Sequence, residues 1–113
     1  MTSIVSTYAT PKKTFPKARK GDVVGIRMIH GKKKTDQSYF FAKASKVGRD
    51  GRVKEFVRVN GARGEIGPSI YVLVISDPDR QAAAGELFST TEWDFKDLDS
   101  MKEAILDRVD ALR

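Results

Sequence analysis

Arg52, Lys54, Phe56 and Arg58 occupy every second position of one short segment. A strand there would carry three cations and one aromatic ring on a single face. The preceding segment holds Tyr39, Phe41, Lys43 and Ser45 at the same spacing. Rings stack on nucleobases whatever the base sequence, and cations neutralise the phosphates beside them. If the two segments pair through Gly48-Arg49-Asp50-Gly51 with these faces together, Tyr39, Phe41, Lys43, Arg52, Lys54, Phe56 and Arg58 form one basic, aromatic sheet surface. A two-stranded ribbon of this kind also fits the major groove of duplex DNA. The plain alternative is a solvated strand face, with Phe41 and Phe56 turned into the core.

More cations lie beyond these two segments. Lys12, Lys13, Lys17, Arg19 and Lys20 crowd around Pro11 and Pro16, and Lys32, Lys33 and Lys34 follow one another in a polar loop. Arg49 sits in the turn and Arg63 in a glycine-rich stretch. All are expected to contact phosphate.

Signals for catalysis are sparse. His30 is the only histidine and there is no cysteine, so neither a disulfide nor a thiolate or multi-histidine zinc site can be built. Asn60-Gly61-Ala62-Arg63-Gly64 is rich in glycine but opens no helix, and so lacks the context of a phosphate-binding loop. Asp77-Pro78-Asp79 ends an apolar run, and Asp94-Phe95-Lys96 follows fifteen residues after Asp79. Pro78-Asp79 with Asp94-x-Lys96 is similar to the Pro-Asp…Asp-x-Lys pattern of a large nuclease superfamily. The resemblance implies carboxylates that hold a divalent metal ion and a lysine that positions water or stabilises charge. That superfamily places these residues on adjacent strands, whereas Asp79 here reads as a turn residue. The expectation is therefore a non-enzymatic protein with no metal and no cofactor, and a small metal-dependent nuclease is the alternative.

The elements that must position these residues follow from periodicity and turn chemistry. Strands are predicted over Val23–His30, Gln37–Val47, Arg52–Val59 and Ser69–Ser76. Gly48–Gly51 is the hairpin turn between the second and third. Asn60–Pro68, with three glycines and a proline, reads as a flexible loop. A helical turn is expected at Gln81–Gly85 and a short fifth strand within Leu87–Phe95. Trp93 would pack beneath the entry to the last helix or anchor a partner. Leu98, Met101, Ile105, Val109 and Leu112 recur at steps of three and four, which defines a C-terminal amphipathic helix. Asp99 or Ser100 is its expected N-cap, and Ser100 with Glu103 has capping-box spacing.

Together these give an α+β domain: a twisted antiparallel sheet or small barrel of four to five strands, closed by one C-terminal helix. Residues 1–20 read as a basic flexible arm, to which Ile4 and Val5 could add an edge strand, and residues 21–113 as the single domain. Ile70–Ile75 is apolar on both faces and must be covered on both. The helix covers one side. The other requires a barrel interior, part of the arm or a second subunit, so a homodimer fits.

The chain has 113 residues and a net charge of +6 that is unevenly spread. Residues 1–64 hold 16 basic and 4 acidic side chains, residues 65–113 hold 5 and 11, and the two parts carry +12 and −6. A basic front attracts polyanions. The acidic helix, with Glu103, Asp107 and Asp110, suits a basic protein partner or a second copy. The N-terminus has no long apolar run, so no signal peptide is expected. Ile70–Ile75, the longest apolar stretch, is too short to span a bilayer. The expected setting is the cytoplasm, or the nucleus of a eukaryote. The reading that unites these features is nucleic-acid binding in a regulatory or accessory role, with DNA ahead of RNA. A protein-interaction module built on the acidic helix is the alternative.

Overall fold

The computed structural model describes residues 5–7, 17–29, 37–67, 70–90 and 94–112. His30, Trp93, Lys12, Lys13, Lys32, Lys33 and Lys34 lie outside them. The elements run β1 (Val5–Thr7), β2 (Val23–Ile29), β3 (Gln37–Val47), β4 (Val53–Val57), β5 (Arg63–Glu65), β6 (Ile70–Ile75), α1 (Pro78–Thr90) and α2 (Leu98–Ala111). Among the described residues the six strands form one antiparallel sheet in the order β1-β6-β2-β3-β4-β5.

This order conflicts with a flat sheet. β5 and β6 stand four strand positions apart, yet only residues 66–69 join them. Four inter-strand spacings span about 19 Å in a flat sheet, while five extended Cα steps reach at most about 18 Å. A turn in that link, closed by the Ile70 N–H on the Gly67 carbonyl, shortens the reach further. The sheet must therefore curl. Its inner face gathers Val24, Ile26, Phe40, Ala42, Ala44, Val53, Phe56, Val72 and Val74 into a buried cluster, with Ile66 and Ile70 packed against it. Self-coverage answers the need for a second cover over Ile70–Ile75. The sheet stays open rather than closing as a barrel, with β1 and β5 at its two edges.

Curvature has a local source. The β3–β4 register runs Val47↔Val53, Lys46↔Glu55, Ala44↔Phe56 and Lys43↔Val57. Lys54 is thus an extra residue in β4, and Ser45 an extra residue in β3. Paired bulges increase twist and bend the strands. They also bring Val53 and Phe56, three residues apart, to the same face. The Phe40 and Phe56 rings meet at 5.6 Å between centroids, tilted by 55°.

Two tight turns of one design carry the meander. Gly48 N–H donates to the Arg52 carbonyl and Gly51 N–H to the Gly48 carbonyl, with Gly51 at φ +85°. Arg58 N–H donates to the Ala62 carbonyl and Gly61 N–H to the Arg58 carbonyl, with Gly61 at φ +89°. In each, the residue before the glycine braces the turn. Asp50 Oδ1 accepts from Arg52 N–H at 3.1 Å, and Asn60 Oδ1 from Ala62 N–H at 2.9 Å. This is the three-residue hairpin in which glycine supplies the left-handed position. Asn60–Gly61 therefore begins a hairpin to β5, where glycine content alone suggested a flexible loop.

The outer face of the sheet carries two helices, not one. Val23, Tyr39, Phe41, Leu73 and Ile75 pack against Ala83, Ala84, Leu87, Phe88, Met101, Ile105 and Val109. A Cβ at Gly25 would lie 3.0 Å from the Met101 sulfur, so glycine lets α2 approach the sheet. α1 replaces the short helical turn and takes in the first four residues, 87–90, of the segment expected to hold a fifth strand. Its cap is Asp77, whose Oδ1 accepts from Asp79 N–H at 2.8 Å and Arg80 N–H at 3.2 Å, with Pro78 in the first helical position. Gln81 ties it to the sheet: Oε1 accepts from Val23 N–H, and Nε2 donates to the Val23 and Ile75 carbonyls. Among the described residues of the expected fifth strand, Phe95 forms an isolated bridge. It exchanges hydrogen bonds with Tyr39 on the part of β3 that β4 does not reach. α2 is capped by Asp97, one turn before Ser100, rather than by Asp99 or Ser100.

Gly64 faces Phe56 across β4 and β5, and a Cβ there would run into the Phe56 ring. Gly64→Ala is expected to lower stability by about 1–3 kcal/mol through overpacking. Gly67→Ala, where a Cβ meets nothing within 4 Å, should change it by less than about 0.5 kcal/mol. Chemical denaturation of the two variants checks the contrast.

Candidate nucleic-acid interface

The bulges at Ser45 and Lys54 decide where the predicted surface residues fall. Ala44 stands opposite Phe56, so Phe56 shares the inner face with Phe40 and Ala42, not the outer face with Tyr39 and Phe41. Phe56 is 3% exposed in the inner core, and Tyr39 and Phe41 are each 5% exposed beneath the helices. The three rings lie on opposite sides of the sheet and none forms a stacking platform. The joint basic and aromatic face expected from strict alternation is absent.

Three of the predicted cations are tied to the fold. The Arg58 guanidinium lies 4.0 Å from the Phe40 ring centroid and pairs with Asp94 at 2.9 Å. It ties the chain just after β4 to the segment between the helices. The exposed Lys43 places its ammonium 5.2 Å from the Phe88 ring. Arg52 sits 3.9 Å from the Asp50 carboxylate. Arg63 is exposed on the β5 edge.

The basic residues that do converge lie at the end of the sheet marked by the Gly48–Gly51 turn. Lys17–Lys20 are not a free arm there. Ala18 N–H donates to the Gly51 carbonyl at 3.0 Å and its methyl is buried in the inner core. Arg19 N–H donates to Asp22 Oδ2 at 2.9 Å, Asp22 N–H to the Arg19 carbonyl, and Gly21 N–H to the Ala44 carbonyl. A Cβ on Gly51 would lie 2.7 Å from the Lys17 Cβ, so the glycine is what lets Lys17 lie against the turn. On the other side, a Cβ on Gly48 would lie 2.8 Å from the Lys54 Cε. Lys17, Arg19, Lys20, Arg49 and Lys54 are exposed, and Arg52 is half-buried beside them. The exposed Lys46, one residue before the end of β3 and passed over by the sequence reading, lies in the same hairpin opposite Glu55.

A second feature was also passed over. Arg27 stands between Tyr39 and Tyr71 in the β3-β2-β6 register, with its guanidinium 4.1 Å from the Tyr71 centroid. The lone cation inside Val23–Ile29 was its only sequence signal. Both residues are half-buried.

Beside the basic end lies a cleft of about 520 Å³, bounded by Lys17, Arg19 and Asp22 on one wall and by Ile75, Ser76, Pro78, Gln81 and Ala82 on the other. The carboxylates that resembled a nuclease set have separate tasks. Asp77 caps α1, and its carboxyl is held below the ordinary 3.8 by the Arg80 backbone N–H foremost, then by Asp79 N–H and the Arg80 charge, against an opposing pull from burial. Asp94 is engaged by Arg58, and Asp79 is exposed in the first turn of α1. Among the described residues no three His, Asp or Glu side chains gather as a metal site. No helix among them is long and apolar enough to cross a membrane.

Comparison with known protein families, curated proteins and solved structures finds no match to this chain.

Arg58→Ala is expected to cost about 1–2 kcal/mol, because it removes the cation over Phe40 and the partner of Asp94 together. Arg63→Ala, on an exposed edge, should be near neutral. Thermal unfolding of both variants distinguishes a structural arginine from a surface one.

Proposed function

We propose that this chain is a non-enzymatic nucleic-acid-binding protein of the accessory kind, gripping the phosphate backbone with the basic end of its sheet. One observation carries the reading. Cations from three separate stretches, Lys17–Lys20, Lys46–Arg49 and Arg52–Lys54, gather around one glycine turn that holds them by backbone hydrogen bonds and close packing. Multiple cations on a braced hairpin end suit an extended polyanion better than a single small anion.

Burial of Tyr39, Phe41 and Phe56 changes the expected polymer. Without a stacking platform on the sheet, unpaired bases gain little on that face, and the phosphates of a duplex become the main contact. A hairpin end also suits the wide major groove of DNA, whereas the A-form major groove of RNA is too narrow for it. Duplex DNA is therefore the proposed polymer, with contacts that position the protein rather than read sequence.

The variant Lys46→Ala/Arg49→Ala/Lys54→Ala tests this, because all three side chains are exposed. Mobility shifts on duplex DNA across a salt series should show the slope of log K against log salt falling by about 3, near one unit per lost cation. The melting temperature should change little. An unchanged slope would show that this end does not meet phosphate. A parallel series with magnesium reads cleavage, which the non-enzymatic reading expects not to occur.

A second reading, a protein-interaction surface on α2, has its own support. Leu106 and Leu112, 39% and 49% exposed, are the exposed large hydrophobics among the described residues. Asp99, Glu103, Leu106 and Asp110 make one outward stripe of three carboxylates around a leucine. Its partner would be basic with an apolar pocket, in another protein or a second copy. Light scattering at low salt should show self-association that Leu106→Ser abolishes. A wild-type chain that stays monomeric throughout removes the second copy as that partner.

A further inference from the structure

The cleft beside the basic end has two unlike walls. Lys17 and Arg19 supply exposed cations. Their backbones are fixed, Lys17 against Gly51 and Arg19 by the turn that Asp22 closes. Opposite them, the exposed Pro78 and Ala82 supply a small apolar surface above the buried Ile75. The polar groups nearby are largely committed, and the Asp22 carboxylate on the cationic wall is engaged by the Arg19 N–H. The Gln81 amide is spent on Val23 and Ile75, and the first-turn N–H groups of α1 are taken by Asp77. The helix terminus is thus already capped, and the cleft offers cations on one side and contact area on the other.

A ligand matching both walls joins a phosphate to a flat, largely apolar group. At about 520 Å³ the cleft falls in the size range of small-molecule sites. It opens next to the cations already assigned to the backbone of a nucleic acid. We propose that this cleft binds one nucleotide unit, its phosphate toward Lys17 and Arg19 and its base against Pro78 and Ala82. The assignment of a nucleotide over other phosphorylated apolar molecules rests on the nucleic-acid reading above. The cleft adds to that reading a single bound nucleotide beside the sequence-independent backbone grip.

The test uses adenosine monophosphate, adenosine and inorganic phosphate as separate probes on the full chain, followed by amide chemical shifts. The monophosphate should shift Ser76, Gln81 and Ala82 saturably in the millimolar range, at least about tenfold tighter than either fragment. A phosphorylated aliphatic alcohol of similar size serves as the competing source of the same chemistry and should bind more weakly. Ala82→Leu fills the apolar wall at an exposed helical position and should abolish the shifts. Arg19→Ala, also exposed, should weaken them several-fold and gives a second route if the first variant folds poorly. Neither variant should lower the salt slope of duplex binding by more than about one unit. The Lys46/Arg49/Lys54 alanine variant should bind the duplex more weakly, with its salt slope lowered by about 3, and keep the monophosphate. Shifts no tighter than those of inorganic phosphate or the aliphatic ester, or an Ala82→Leu chain that binds as wild type, would overturn the nucleotide site and leave the duplex reading standing.

Discussion

A four-residue link between strands that stand four places apart is the constraint on which the rest of this structure depends. It forces the sheet to fold over its own inner face. That curvature covers β6 on the side the helices do not reach, so an apolar strand is buried twice within one chain. It also brings Phe40 against Phe56, sets Arg58 over Phe40 and leaves no room for a side chain at Gly64. The bulges at Ser45 and Lys54 are the local means, because an extra residue in each of two paired strands bends both without changing their overall pairing.

The same bulges mark the limit of what could be read from residue order. β2, β3, β4 and β6 were all legible, as were the Gly48–Gly51 turn and the α2 stripe, because apolar spacing and turn residues are local signals. Face assignment along β4 was not. Strict alternation puts Phe56 with Arg52 and Lys54 and opposite Val53, and one extra residue moves it to the side of Val53. The faces of a strand depend on every register step before them, and a bulge leaves no reliable mark in a single sequence. Two other misses had signals that went unused. Asn60–Gly61 is a strong hairpin dipeptide, and Asp77-Pro78 is an N-cap followed by the residue best suited to the first helical position. Each was read for its glycine or as the end of a strand, when it also began the next element.

Legibility of the candidate site divides in the same way. The charge asymmetry puts most cations in the first half of the chain, but charge says nothing of partners inside the fold. Arg58 and Lys54 looked equivalent in sequence. In the structure the first is held by a ring and a carboxylate, while the second lies exposed across Gly48. Lys17 moved the other way, from a presumed arm to a side chain braced against Gly51. A cation near a hairpin tip tends to remain available, since few side chains surround a turn. A cation at the far end of the same strand meets the next layer.

This distribution bears on how the basic end can act. A flexible arm loses conformational entropy when it meets a polymer, and that loss opposes binding. Lys17 and Arg19 have already lost backbone freedom on folding, through Ala18 on Gly51 and Arg19 on Asp22. Their side chains still lose rotamer freedom on binding, but the spacing between their attachment points and those of Arg49 and Lys54 is set in advance. A fixed spacing favours partners whose own charges are regularly spaced, and a duplex backbone is such a partner where a flexible acidic peptide is not. The interlocked glycine turn is thus more than a connection. By admitting Lys17 at Gly51 and Lys54 at Gly48, it converts three unrelated stretches of basic sequence into one rigid array.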